Sequence, residues 1–273
     1  MIFIHFYSKN YCYLLIFIID KSDGFIKGYI HHECAILAQG SYREIMGNEI
    51  FLAFDIDGTI YDAEDILEEA FTRGTESFMK TGVGNSLHIP TKEEIKATLG
   101  YPLNEIFMML FPLLEEDKRD ELSTIWTVNL VEMIREKKGR LIGGVEETIK
   151  ELHSMKYNML VASNGARAYV EAILETYDLA RFFSKPFIYT EGTIKNKTDI
   201  IRKYLWLNPG MELIMIGDRY TDLAAAKENG IPFIGCAFGH AGADEIEGEK
   251  YIVNDFSEIP GILKKIKDNK LII

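Results

Sequence analysis

A doubly wound α/β fold, built on a parallel sheet and carrying an inserted block of helices, is what this sequence predicts. Three observations predict it. Short apolar runs recur along the chain, each ending in small or polar residues. Amphipathic helical patterns lie between those runs. One stretch, from Asp62 to Lys138, interrupts the alternation with helical patterns alone.

The runs come in order. Ile50-Phe51-Leu52-Ala53-Phe54 precedes Asp55, Met159-Leu160-Val161-Ala162 precedes Ser163, and Phe187-Ile188-Tyr189 precedes Thr190. Leu213-Ile214-Met215-Ile216 precedes Gly217-Asp218, then come Pro232-Phe233-Ile234-Gly235 and Tyr251-Ile252-Val253. Nearly continuous apolar runs this short read as strands covered on both faces, the mark of a parallel sheet. Helical periodicity follows over Val145–Met155, Ala166–Tyr177, Thr198–Leu207 and Thr221–Asn229, the last with Thr221 as expected N-cap and Gly230 as its stop. Strands alternating with helices give the doubly wound arrangement. The interruption reads as about four helices, Glu64–Met79, Lys92–Leu99, Leu103–Leu110 and Glu115–Lys137, punctuated by Pro90, Gly100-Tyr101-Pro102 and Pro112. The expected division is therefore a core over 48–61 and 139–273, a helical cap over 62–138, and an N-terminal extension over 1–47.

Composition narrows the function classes. The 273 residues are 47% hydrophobic and 26% charged, enough to build a core, and the net charge is -12. Such a charge disfavours a general nucleic-acid binder, which needs a basic face to displace counterions. It leaves room for a phosphorylated small molecule, because a bound cation and a few local donors outweigh the distant field. Cys12, Cys34 and Cys236 offer neither a disulfide framework nor zinc-ligand spacing, so a cytoplasmic location is expected. In the N-terminal extension, Tyr11–Ile19 is nine apolar or aromatic residues. That is well short of the roughly 20 a membrane span needs, and no basic start precedes Lys9 as in a signal peptide. The expectation is a pair of extra strands, a disordered arm, or residues ahead of a true start at Met46. A mass spectrum of the native protein decides, and a mature chain still carrying Met1 excludes the last reading.

In a doubly wound sheet, ligands bind beyond the carboxyl ends of the strands. Asp55, Asp57, Ser163, Asn164 and Asp218 all sit at such ends, so they are expected to converge in one crevice. A bend after Asp55, permitted by Gly58, turns Asp57 toward the same place. Two carboxylates this close need a cation, and Asp218 supplies further oxygen. Hard oxygen donors with open positions for water suit magnesium. A carboxylate can take a phosphoryl group as nucleophile while a second one gives and then removes a proton. The Ser163 hydroxyl and a lysine would steady the phosphoryl oxygens. Lys195 and Lys197 both follow the third run, and Lys197 is preferred because it opens a helix. Asp222, one turn after Asp218, is placed to orient a metal-bound water or to hold the lysine.

Taken singly these signals are weak. Asp-Gly-Thr often marks a turn, Ser163-Asn164-Gly165 reads equally as a turn with an N-cap, and a single lysine is usually a surface residue. Their order at successive strand ends is what raises them together. With those residues in place, the sequence resembles the haloacid dehalogenase-like hydrolases, in their phosphoglycolate phosphatase-like branch. The resemblance spans roughly Asn48 to the C-terminus. It is carried by Phe54-Asp55-Ile56-Asp57-Gly58-Thr59, Val161-Ala162-Ser163-Asn164, Lys197-Thr198-Asp199-Ile200-Ile201 and Ile216-Gly217-Asp218-Arg219-Tyr220-Thr221-Asp222.

The resemblance implies a phosphatase acting on a small phosphorylated metabolite such as phosphoglycolate, a sugar phosphate or a nucleotide. It implies Asp55 as nucleophile and metal ligand, and Asp57 as acid and base with its backbone carbonyl on the metal. Ser163, Asn164 and Lys197 would take the phosphate, Asp218 the Mg2+, with Thr59 and Asp222 in support. Leu99-Gly100-Tyr101-Pro102-Leu103 resembles a cap segment that faces substrate, and reads equally as a helix break. Asp57 argues against a dehalogenase or phosphonatase. A phosphomutase of the same fold, and an idle scaffold protein, are the alternatives. Transfer to a sugar instead of water marks the first, and silence across a broad phosphate panel marks the second.

Overall fold

The computed structural model describes residues 2–8, 11–19, 26–30, 49–82, 87–190, 192–240 and 244–270. The N-terminal unit contains three strands, β1 (Ile2–Ser8), β2 (Tyr11–Ile19) and β3 (Ile26–Ile30), in an antiparallel sheet ordered β1-β2-β3. Its register runs from Ile2 opposite Phe17 to Ser8 opposite Tyr11. The suggested start at Met46 lies outside the described residues.

The second unit spans Ile50–Ile273. It opens with β4 (Ile50–Phe54), whose side chains alternate between two apolar clusters, Leu52 and Phe54 on one face and Ala53 on the other. A short β5 (Tyr61–Asp62) leads into four helices: α1 (Glu64–Met79), α2 (Lys92–Thr98), α3 (Leu103–Leu110) and α4 (Glu116–Arg135). Thr91 caps α2 in a reciprocal box with Glu94. Phe71, Phe107 and Trp126 tie α1, α3 and α4 together, with Phe71 and Trp126 ring centres 4.9 Å apart. The chain returns through β6 (Arg140–Leu141), antiparallel to β5.

Then α5 (Val145–Ser154), β7 (Asn158–Val161), α6 (Arg167–Thr176), α7 (Lys197–Leu207), β8 (Glu212–Gly217), α8 (Tyr220–Glu228), β9 (Phe233–Cys236), β10 (Ile252–Val253) and α9 (Ile259–Lys270) complete the chain. The strands form one parallel sheet ordered β10-β9-β8-β4-β7. The order reverses at β4, so its carboxyl end opens onto a switch-point crevice. Register fixes what reaches that crevice. Phe54 lies level with Val161 and with Ile216, so Asp55, Ser163 and Asp218 all emerge just past the last paired residues.

Two expectations are corrected. Residues 187–189 do not form a strand. The segment pairs with β7 through a bridge at Phe183 and a Ser184 N–H donated to the Met159 carbonyl. Farther along, the Tyr204 hydroxyl stands between the two backbones. It receives the Ile188 N–H at 3.2 Å and donates to the Val161 carbonyl at 3.0 Å. Ile188 and Tyr189 are buried all the same, which is what the apolar run recorded. The second correction is the entry to α8: Arg219, not Thr221, occupies the N-cap position, and Asp222 accepts its N–H at 3.0 Å.

Candidate active site

Asp55 continues β4 by one bond, donating its N–H to the Ile216 carbonyl at 2.9 Å. The chain then coils. The Ile56 carbonyl accepts from Thr59, Ile60 and Tyr61, and Gly58 takes φ +77°. A Cβ at Gly58 would lie 2.3 Å from Asp218 Oδ2, so only glycine lets the coil seat against that carboxylate. The coil turns Asp57 back into the crevice, where it accepts the hydroxyl proton of Tyr169.

Asp218, fully buried beyond β8, accepts the His240 N–H at 2.6 Å and the Thr59 hydroxyl at 3.4 Å. Gly239 has no side chain for a related reason, since a Cβ there would lie 2.3 Å from Asp218 Cβ. Lys197 opens α7, whose N-cap Asn196 accepts the Asp199 N–H. Its ammonium is buried between Asp55 Oδ1 at 2.8 Å and Asp222 Oδ1 at 2.6 Å. Lys195 is exposed, so Lys197 is the lysine the fold brings to the crevice. Of the two tasks foreseen for Asp222, the one the geometry displays is holding this lysine.

Ser163 is buried, its Oγ accepting the Gly165 N–H at 3.0 Å. Asn164 is tied to the insert by its side chain. Its Nδ2 donates to the Gly100 carbonyl of the helical insert at 2.9 Å, which leaves Oδ1 buried with no partner among the described residues. That remaining side-chain atom is an acceptor, and a phosphate dianion needs donors.

A cavity of about 60 Å³ lies over these groups, room for roughly four waters. Its floor is polar, with Asp55, Asp57, Ser163, Asn164, Tyr169 and Lys197. Its roof comes from the insert and is mostly apolar, with Leu67, Leu99, Leu103, Ile106, Trp126 and Leu130, and Tyr101 adds one phenol.

Burial dominates the electrostatics. It pushes the Asp55, Asp218 and Asp222 carboxyls up to about 7, with mutual repulsion adding to burial and Lys197 working against both. Burial also raises Asp57, opposed by the Tyr169 hydrogen bond and the charge of His240. Burial disfavours the Lys197 ammonium, yet Asp222 and Asp55 outweigh it and hold that group above the ordinary lysine value. Oxygens of Asp55, Asp218 and Asp222 lie within 4.8 Å of one another. Three buried carboxylates share one buried ammonium, so a divalent cation fits the charge deficit, and an all-oxygen donor set fits a hard ion.

Tyr169 and His240 were not foreseen. An aromatic residue in the first turn of an amphipathic helix carries no signal apart from core packing. His240 does carry one. It follows the end of β9, and the strand-end rule that singles out Asp55 points to it equally.

A family model described as haloacid dehalogenase-like hydrolase matches residues 52–236. Among curated proteins, the chain is 25% identical over 215 residues to "Probable phosphatase IndB" of Dickeya dadantii, covering 76% of this chain and 90% of that one. It is also 25% identical over 202 residues to a phosphoglycolate phosphatase of Vibrio vulnificus, covering 69% and 84%. Among solved structures, a predicted phosphoglycolate phosphatase from Haemophilus somnus superposes with a TM-score of 0.67 at 20% identity, over 80% of this chain and 99% of that one. That likeness speaks for the fold. Among the described residues, no helix is long and apolar enough to cross a membrane.

Proposed function

The chain belongs to the haloacid dehalogenase-like hydrolases and is a phosphatase of phosphoric monoesters; on that premise we propose that it is a magnesium-dependent cytoplasmic enzyme hydrolysing a small phosphorylated metabolite through an aspartyl-phosphate on Asp55. The observation that carries the proposal is the buried Lys197 bridge between Asp55 and Asp222, with Asp218 alongside and Asp57 held apart by Tyr169.

In the first half-reaction an Asp55 carboxylate oxygen forms a bond to phosphorus. The ester P–O bond breaks, and Asp57 gives its proton to the departing alkoxide, which leaves as the alcohol. In the second, Asp57 takes a proton from water as the water oxygen bonds to phosphorus. The P–O bond to Asp55 breaks, inorganic phosphate leaves, and both carboxyls return to their starting states. Lys197 keeps the reacting oxygen of Asp55 oriented and stabilises charge building on the phosphoryl oxygens, together with the Ser163 hydroxyl. Tyr169 holds Asp57 in line. Asp222 keeps Lys197 in place, and Thr59 and the His240 N–H keep Asp218 in place. Mg2+, held by Asp55, Asp218 and the Asp57 carbonyl, would offset the repulsion between an anionic nucleophile and an anionic substrate. The insert, residues 62–138, acts as a cap that closes the cavity from water.

The test is turnover of an aryl phosphate with Mg2+ by the wild-type chain and by Asp55→Asn, which keeps the shape and loses the nucleophile. Activity should fall at least about a thousandfold. Turnover by Asp55→Asn within about tenfold of wild type would sink the covalent route.

A further inference from the structure

We propose that the molecule bearing the phosphate has an uncharged, hydroxyl-bearing leaving group, a polyol or sugar phosphate and not one that carries a carboxylate, such as phosphoglycolate, and that Asn164 is the residue that reads the hydroxyl. This rests on the phosphatase reading above and narrows it.

Two independent observations carry it. The first is the orphaned Asn164 Oδ1. The residue is 4% exposed, lines the cavity and follows Ser163 at the tip of the sheet. Its amide orientation is fixed, because Nδ2 must face the Gly100 carbonyl, so Oδ1 is the end left free. A buried acceptor without a donor is costly, and a ligand O–H relieves that cost. Neither a phosphate dianion nor a carboxylate offers such a proton.

The second observation is the cation count. Lys197 is the one cationic side chain lining the cavity among the described residues, and two carboxylates already occupy it. The roof over the leaving group is leucine, isoleucine and tryptophan, with the Tyr101 phenol as its one hydroxyl among the described residues. Trp126 has a buried indole N–H with no partner among the described residues and Tyr101 adds a hydroxyl, but neutral donors do not balance a carboxylate charge. A substrate carboxylate would thus enter a largely apolar chamber with no cationic side chain of its own to meet it. A hydroxylated carbon chain meets no such penalty: its carbons pack on the roof and its O–H reaches Asn164.

Asn164 also joins floor to roof, since Gly100 belongs to the insert and Thr221 reaches the same carbonyl at 3.5 Å. The residue that reads the hydroxyl therefore touches the segment that closes the chamber.

The experiment compares three esters of similar size, glycerol 3-phosphate, n-propyl phosphate and phosphoglycolate, with the Mg2+-loaded full chain. Wild type should give kcat/KM in that order, with glycerol 3-phosphate about tenfold or more above propyl phosphate. In Asn164→Ala both alkyl esters should weaken through the lost Gly100 contact, while the ratio between them falls to about twofold. Phosphoglycolate at or above glycerol 3-phosphate in wild type overturns the inference, and so does an unchanged ratio in Asn164→Ala. If that variant fails to fold by circular dichroism, the wild-type order decides alone. Calorimetric binding of the same esters to Asp55→Asn separates the two levels. The expected binding order with no turnover of any ester by wild type overturns the hydrolase reading and upholds the ligand class. Turnover with phosphoglycolate preferred overturns the ligand class alone.

Discussion

Replacing Lys197 with methionine keeps the length of the side chain and removes the ammonium that lies 2.8 Å from Asp55 and 2.6 Å from Asp222. At an effective dielectric of about 20, each contact has a gross attraction of roughly 6 kcal/mol, most of it cancelled by the cost of burying the charges. What the variant exposes is that burial cost, because two carboxylates stay behind with no cation between them. Breaking a buried pair in this way costs about 3–5 kcal/mol. The cost depends on pH. Asp55 and Asp222 already sit near 7 with the lysine present, and losing it raises them further above the unfolded value of about 4. Below that raised value the folded variant binds protons that the unfolded chain does not, and the penalty shrinks. Urea unfolding in EDTA should therefore show a loss of about 3–5 kcal/mol at pH 8 and less than about half of that at pH 5.5. Aryl phosphate turnover with Mg2+ should fall about 10²–10³-fold, the usual loss for one charged donor in such a site. A variant as stable as wild type at pH 8, or a loss that does not change with pH, would refute the electrostatic account of this cluster.

The metal-free wild-type chain should itself lose stability as pH rises. Asp55, Asp218 and Asp222 titrate near 7 when folded and near 4 when unfolded, so the folded chain holds the extra protons between those values. The slope is then negative across pH 4–7, on the order of 1 kcal/mol per pH unit for each extra proton. Thermal melts in EDTA check it, and excess Mg2+ should stabilise progressively more toward pH 8; a metal-free chain that melts higher at pH 8 than at pH 5 contradicts it. In Tyr169→Phe, Asp57 loses the hydrogen bond that lowers it, so the alkaline limb of the kcat/KM profile should move upward. A limb that stays in place would remove Tyr169 from the proton-transfer step. For Gly58→Ala, the new methyl meets Asp218 Oδ2 at 2.3 Å on a backbone with φ +77°. Urea unfolding should show a loss of at least about 2 kcal/mol, with turnover down a hundredfold or more.

Much of this arrangement is legible in the sequence because one rule, polar residues at the ends of buried strands, finds Asp55, Ser163 and Asp218 directly. The rule works because the register of β4 with β7 and β8 levels those ends. It fails where a side chain replaces the ladder. Phe187–Tyr189 is apolar enough to be a strand, but the Tyr204 hydroxyl from a distant helix mediates its contact with β7, and no local pattern announces that. Lys197 is separable from Lys195 because it begins a helix, which fixes its direction. Tyr169 was invisible because its polar end works on a residue 112 positions away while its ring satisfies the pattern of a core helix. Asn164 was placed correctly at the crevice, but which of its two polar ends faces the ligand depends on the Gly100 carbonyl, a contact 64 positions distant.

The short ribbon of β5 and β6 has a consequence for how such an enzyme changes over generations. Asp62 pairs with Arg140 across it, Tyr61 donates its hydroxyl hydrogen bond to the Lys138 carbonyl, and Arg140 forms ion pairs with Asp62 and Asp65. The helical insert thus leaves and re-enters the sheet domain at neighbouring points, and the two flanks are clamped to each other by the first turn of its first helix. Lengthening, shortening or exchanging everything beyond that clamp adds little closure entropy, because the ends are already together. The reacting carboxylates and their lysine come from strand and helix ends that the exchange leaves untouched. Taste for a new ester can therefore be inherited as a single contiguous segment, while the machinery that cleaves it is passed on unchanged.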